Sequence, residues 1–330
     1  MEGINNFGVD LILFLQGIGD WLDFPMLFFS YLGNEEFFLL VMPAVYWCVS
    51  STIGLRLGLL LLFSATLNSV FKLILHGPRP YWYSPEIRAA ITETSFGAPS
   101  GHSQNAAAVW GGLASAYKQP WLWMAAAVVI FFTGISRLYV GVHFPQDVLS
   151  GWLLGLLILL AYLLLEERIK AWWQKRNLVM KLLAAFLISL SLIGLGVLTR
   201  ASLSDWTIPQ IWVENAASAN PDAEPINPLS LSGIVSNSGA LFGLIAGVTL
   251  LPYFGGFNAG GAYWKRAVRF VIGVIGVLLI WRGLGVLLPG GENMVGFAFR
   301  YFRYALIGGW ISGLAPIIFT RTGLADGSNH

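Results

Sequence analysis

Charge is scarce in this sequence. Asp, Glu, Lys and Arg make up 11% of its 330 residues, whereas 56% are hydrophobic; soluble domains carry roughly a quarter charged residues. So thin a supply of polar surface excludes an ordinary soluble globule and points to an integral membrane protein. Cysteine is nearly missing too: Cys48 stands alone, so no intrachain disulfide can form and no thiolate metal site is expected. It lies in an apolar run and reads as buried filler. The formal net charge is only +2, and its cations are scattered, which argues against a nucleic-acid partner. The opening stretch, MEGINNFGVD, lacks the basic leader and small-residue cleavage site of a signal peptide. No internal repeat and no low-complexity tract is present.

What the chain has in abundance is long apolar runs. Crossing a bilayer takes about 20 such residues, and nine stretches qualify, near 24–49, 53–75, 99–117, 121–140, 145–166, 181–199, 232–253, 267–288 and 300–319. The expected fold is all-α, a polytopic helical membrane protein of about nine spans. The opening segment is too short to span comfortably, and with Asp10 and Asp20 framing an apolar face it is expected to lie along the interface. Asn34, Glu35 and Glu36 interrupt the first run and predict a bend packed against protein. The polar stretch 200–231 is read as a cap with short helices. It divides the chain into a core over 1–199 and three further spans with a tail over 232–330.

Eleven of the nineteen Lys and Arg residues fall in the odd-numbered loops and the C-terminal tail. The positive-inside rule therefore expects the amino terminus and the even-numbered loops away from the cytoplasm and the C-terminus within it. Three separated segments share that outer side: KLILHGPRP from Lys72, PSGH from Pro99, and SRLYVGVHFPQD from Ser136.

Their residue types suit a phosphate. Arg79 and Arg137 can each offer a two-pronged fork and Lys72 a point charge, and no carboxylate is expected close enough to neutralise all three. Ser100, Gly101 and His102 open a helix after Pro99, where unpaired backbone N–H groups and the helix dipole favour an anion. His143 stands just before the helix start at Pro145, with Asp147 one turn on. A carboxylate on one imidazole nitrogen fixes the tautomer and leaves the other free to attack, so His143 is read as a nucleophile that forms a phosphohistidine. His102, with an ordinary pKa near neutrality, suits an acid/base that protonates the leaving oxygen and then activates water.

These three motifs resemble the signatures of the type 2 phosphatidic acid phosphatase superfamily. The resemblance implies the same roles: Lys72, Arg79, Ser100, Gly101 and Arg137 for phosphate, His102 as acid/base, His143 as nucleophile and Asp147 as its partner, with no metal or other cofactor. The six-span core covers roughly 24–199. The three later spans resemble the longer members, the glucose-6-phosphatases and sphingosine-phosphate phosphatases, although in the glucose-6-phosphatase pattern a Gln takes the place of Asp147. The expected activity is hydrolysis of a phosphomonoester at the outer face. Its substrate is a lipid phosphate such as phosphatidate, lysophosphatidate, a sphingoid-base phosphate or a prenyl phosphate; the alternatives are a sugar phosphate, or a carrier or flippase that binds phosphates without cleaving them.

Outside the motifs, His76 reads as a loop or interface histidine, and Tyr81, Trp82 and Tyr83 as an aromatic belt at the headgroup level. Arg282, Arg300 and Arg303 read as helix-end cations reaching for the interface.

Overall fold

A computed structural model describes residues 2–328, apart from the side chains of Glu35 and Glu36. The expected bend role of those two side chains therefore lies outside the described residues. Helices follow in the order α1 (Glu2–Gly17), α2 (Asp23–Tyr31), α3 (Glu35–Cys48), α4 (Ser51–Leu75), α5 (Pro80–Tyr83), α6 (Gly101–Tyr117), α7 (Pro120–Tyr139) and α8 (Pro145–Gln174). After these come α9 (Leu178–Ala201), α10 (Gln210–Ala219), α11 (Ser232–Leu250), α12 (Tyr263–Leu278), α13 (Leu284–Leu287), α14 (Met294–Gly309) and α15 (Ala315–Arg321). No strand occurs among the described residues.

Local chemistry sets many of these limits. Proline occupies the first position of α5, α7 and α8, where a missing N–H costs nothing. Ser100 caps α6 by accepting from the Ser103 N–H, and Lys118 ends it in the left-handed region at φ 52°.

Among the described residues, seven helical segments are long and apolar enough to cross a membrane, and an eighth is reached if the sharply bent pair Glu2–Gly17 and Asp20–Tyr31 counts as one. The expected count of nine is not reached, for two reasons. The run 24–49 breaks at residues 32–34 into α2 and α3, neither long enough alone. Helix α6 has only 17 residues, and its first turns are Gly, His, Ser, Gln and Asn. Such residues suit a protein interior rather than lipid.

The described chain forms two compact units. The first gathers the residues up to 37 with 67–159 and 196–230. Within it α6 and the start of α8 approach through glycine: a methyl at Gly151 would come within 2.5 Å of the Ser100 carbonyl, and one at Gly155 would strike the Gln104 carbonyl. Close helix approach of this kind needs small residues at the contact. The opposite side of α8 keeps Leu149, Leu153 and Leu156 more than half exposed, as a lipid-facing stripe would be. Helix α2 packs on α7, with Phe29 stacked on Phe132 at 4.9 Å.

The second unit holds residues 38–66, 160–195 and 231 onward. Gly239, Gly243 and Gly247 let α11 lie directly against the backbone of α14 and the turn after it. That turn, Trp310–Leu314, has π-type geometry. Its carbonyls at Ile311 and Ser312 accept from Trp47 Nε1 at 2.8 Å and Tyr46 Oη at 3.1 Å, which satisfies groups left exposed where the helical register slips. Cys48 is half-buried, with Sγ 3.2 Å from the Arg266 carbonyl. Arg282 and Arg303 lie over the rings of Trp281 and Tyr304, and Arg300 reaches Ser236 Oγ at 3.4 Å.

Candidate active site

All eight residues singled out from the motifs belong to the first unit. Lys72 stands in the last turn of α4, and its Nζ donates to Ser95 Oγ at 2.8 Å. Arg79, fully buried, precedes Pro80 of α5. Its Nε donates to the Ser95 carbonyl at 2.7 Å, Nη1 to the Val142 carbonyl at 3.0 Å, and Nη2 to Ser95 Oγ and the Phe96 carbonyl, each at 3.1 Å. The guanidinium plane is thereby fixed before any ligand arrives.

Arg137, also fully buried, comes from the last turn of α7. Nη1 donates to Ser30 Oγ at 2.5 Å and Nη2 to Glu93 Oε1 at 2.7 Å, while Nε has no partner among the described residues. A buried donor without an acceptor is costly and marks a place where one would be welcome.

His143 lies in the short turn between α7 and α8, its ring 1% exposed. Nδ1 faces Asp147 Oδ2 at 3.4 Å, and Nε2 faces Arg79 Nη1 at 3.4 Å. The same Asp147 oxygen accepts the Phe144 N–H at 2.9 Å, which locks the carboxylate in the first turn of α8. One ring nitrogen is thus held by a carboxylate and the other is turned toward a guanidinium. Burial, and after it Arg79, Arg137, Lys72 and His102, push the His143 pKa well below its ordinary value. The ring is therefore neutral, and nucleophilic, at neutral pH.

Ser100 and Gly101 sit where α6 meets α8, with the Ser100 N–H donating to the Asp147 carbonyl at 2.9 Å. The Ser100 hydroxyl accepts from Ser103 N–H and Ser103 Oγ, so its own proton remains to be given. The Gly101 and His102 N–H groups precede the first intrahelical bond, Gln104 N–H to Ser100 O. His102 is flanked by Gly33, where a methyl would come within 3.2 Å of its ring. Asn68 lies beneath Gly101 and donates to the Pro99 carbonyl at 3.3 Å and to Gln104 Oε1 at 2.9 Å.

No carboxylate was expected to neutralise all three cations, and among the described residues none does, but Glu93, which the sequence did not single out, lies across two of them, 2.7 Å from Arg137 and 3.5 Å from Arg79. Burial would raise its pKa, but Arg79, Arg137, Lys72 and His102 outweigh that and hold the carboxyl below its usual range. Glu93 and Ser95 come from the loop that folds back after α5, a placement no local pattern announces.

The placement of Tyr81 and Trp82 is corrected. They are 1% and 0% exposed, not a belt. Tyr81 Oη accepts the Glu93 N–H and donates to the Glu93 carbonyl, both at 2.9 Å, and Trp82 lies 5.9 Å from the Arg79 guanidinium. His76 follows α4 at φ 35°, edge-on to Phe96 and Trp206. Two elements missed as neighbours of the site also close around it. Helix α1 sends Gln16 to the Tyr139 and Arg88 carbonyls and Asn5 to Gln146, and α10 sends Asn215 to the Trp82 carbonyl.

The fold and the site define a helical membrane protein with a buried cationic cradle and a carboxylate-held histidine. The sequence profile of the PAP2 superfamily matches residues 53–171, and that of the PAP2 superfamily phosphatase transmembrane extension matches 235–327. Phosphatidylglycerophosphatase B of Bacillus subtilis is 32% identical over 169 residues, 47% of this chain and 80% of that protein. Glucose-6-phosphatase 3 of Bos taurus is 27% identical over 96% of this chain and 95% of its own length. A crystal structure of a transmembrane PAP2 type phosphatidylglycerolphosphate phosphatase from Bacillus subtilis is 28% identical, covers 51% of this chain and 89% of that one, and has a TM-score of 0.44. The chain belongs to the PAP2 superfamily. It is an integral, multi-pass membrane phosphatase that acts on phosphate esters, and the reading as a non-hydrolytic carrier falls away.

Because burial and the neighbouring cations hold the His143 pKa below its ordinary value, the ring is protonated only as pH falls through that lowered value. Once the substrate's own second ionisation, near pH ~6, is divided out, the acid limb of kcat/KM is expected below about pH 6.5, the unperturbed imidazole value. A pH–rate profile on purified protein with its limb above that point would mean the ring is charged at neutrality.

Proposed function

We propose that the protein hydrolyses phosphomonoesters in two steps through a phosphohistidine on His143. The observation that supports this most directly is the orientation of the ring, with Nδ1 toward Asp147 and Nε2 toward Arg79. Arg79, Arg137 and Lys72 receive the phosphoryl oxygens together with the N–H groups at Gly101 and the Ser100 hydroxyl. His143 attacks in line. Burial, and after it Arg137, push the His102 pKa well below the near-neutral value expected from the sequence. The charge of a bound phosphate dianion opposes that shift, so that His102 protonates the departing oxygen and later takes a proton from water, and Asp147 stabilises the imidazolium that forms on His143. We read residues 1–199 as the catalytic core, 200–231 as its cap and 232–330 as the added spans, with the site and amino terminus outside the cytoplasm.

The substrate class is a lipid phosphate. A soluble sugar phosphate is the second reading, favoured by the likeness to bovine glucose-6-phosphatase 3 along nearly the whole chain. Assay of the purified protein against phosphatidate, lysophosphatidate, sphingoid-base, prenyl and sugar phosphates separates them. A kcat/KM highest for a sugar phosphate and indifferent to acyl chain length would replace the first reading with the second.

Three cations and a helix terminus supply charge that a metal ion supplies in other phosphatases. Activity is therefore expected to survive excess EDTA. Vanadate, which takes up the five-coordinate geometry of the transition state, is expected to inhibit more tightly than phosphate. Loss of activity in EDTA with recovery on adding Mg²⁺ would refute this mechanism.

A further inference from the structure

We propose that the Glu93 carboxylate is the resident anion of the phosphate site: it lies across the Arg79 and Arg137 forks between turnovers and swings out when substrate enters. The inference rests on the phosphate-binding role read for those arginines and adds a residue that competes with the ligand.

The geometry has three parts. The two carboxylate oxygens divide between the guanidinium groups, Oε1 to Arg137 Nη2 at 2.7 Å and Oε2 to Arg79 Nη2 at 3.5 Å, as two non-bridging oxygens of a phosphoryl group would. The Arg79 guanidinium that Glu93 approaches is also the one facing His143 Nε2, so the carboxylate stands beside the attacking atom's path. Finally, the two arginine side chains are 0% exposed whereas that of Glu93 is 28% exposed. Only the carboxylate has a way out to water.

The backbone shows how it leaves. Tyr81 Oη holds both the N–H and the carbonyl of Glu93, and Tyr81 is itself buried. The main chain is therefore pinned while the side chain is not, and rotation about the Glu93 side-chain bonds empties the forks without opening the loop. The vacated forks then face the incoming phosphoryl group. An internal anion also answers an electrostatic need, because bare cations held together in a dry site repel one another and are costly to bury. One consequence concerns selectivity. Inorganic phosphate must displace Glu93 with no other contacts to help, whereas a phosphate ester brings the binding of its organic group. The carboxylate thus weakens both by the same factor, the fraction of time the forks are open, and the binding of the organic group is what then keeps an ester in place where free phosphate leaves.

The experiment measures the rise in unfolding temperature of the purified full-length protein in detergent, titrated with inorganic phosphate or vanadate. Wild type, Glu93→Gln, Glu93→Asp and Arg79→Gln are compared. A ligand competing with a closed state binds more weakly by the fraction of time the site is open, so an open fraction of about a tenth predicts roughly tenfold tighter binding of both anions to Glu93→Gln. The shorter Glu93→Asp, unable to span both forks, should gain a smaller but measurable amount, and decides the matter if Glu93→Gln does not fold. Unchanged or weaker anion binding in the folded Glu93 variants would overturn the proposal and make Glu93 a residue that merely positions the arginines. If Arg79→Gln binds phosphate as wild type does, the phosphate-site reading itself fails and the proposal with it.

Discussion

Acid-quenched His143→Ala should carry no ³²P from any labelled substrate, and its turnover should drop by roughly 10⁴-fold or more, as when a covalent nucleophile is deleted. His102→Ala should behave differently. An aryl phosphate needs little protonation of its leaving oxygen, so this variant should still form the phosphoenzyme, then accumulate it because the base for water is gone. Asp147→Asn keeps an acceptor for the Phe144 N–H, so the first turn of α8 should survive. The ring would lose its tautomeric control and the charge opposite its Nδ1, and a loss of about 10²–10⁴-fold is expected by analogy with other Asp–His pairs. Trapped label in His143→Ala, or wild-type turnover in Asp147→Asn, would show the roles to be wrongly assigned.

Arg79→Lys should be nearly as damaging, although it preserves charge. Arg79 spreads its donors over Ser95, Phe96, Val142 and Glu93, and the same plane faces His143. A lysine ammonium has three donors on a flexible stem and cannot reproduce that plane. Loss of pre-set donors to a developing phosphoryl charge commonly costs 10²–10³-fold. Here kcat/KM is expected to fall by about 10³-fold, since the loop 93–97 is loosened as well. Steady-state kinetics on an aryl phosphate would test this, and a change below about tenfold would mean that Arg79 is a structural cation.

The polar residues that face one another across the site were readable from their types and motif spacing taken together. Any one cation at a membrane edge can simply reach the interface, whereas cations, two histidines and an aspartate gathered on one side suit a phosphate. Their mutual placement was legible only as a shared membrane side. Glu93, Ser95 and Ser30 were not legible at all: a glutamate or serine in a polar loop looks like any solvated residue until the chain folds back and sets it against a buried guanidinium. The same holds for Asn5 and Gln16 of α1 and Asn215 of α10, whose partners lie 72 to 141 residues away. Tyr81 and Trp82 were misread for a related reason, since amphipathic rings near a membrane edge suit the headgroup zone and a buried loop equally well. The exact span count is not confirmed where hydropathy meets a helix with many buried residues. The run 99–117 was read as a span, but α6 is short and polar in its first turns, and ten of its seventeen residues are buried, so hydropathy alone does not tell a helix packed among other helices from one that meets lipid.

The contact between the starts of α6 and α8 separates two properties of this enzyme. Because Gly151 brings the α8 backbone against Ser100, and the Ser100 N–H holds the Asp147 carbonyl, the helices bearing His102 and Asp147 are registered main chain to main chain. The spacing of His102, His143 and Asp147 is consequently hard to alter, so substitutions that redirect this protein to a different alcohol should accumulate away from that contact, as in the segment carrying α10, while the spacing stays constant.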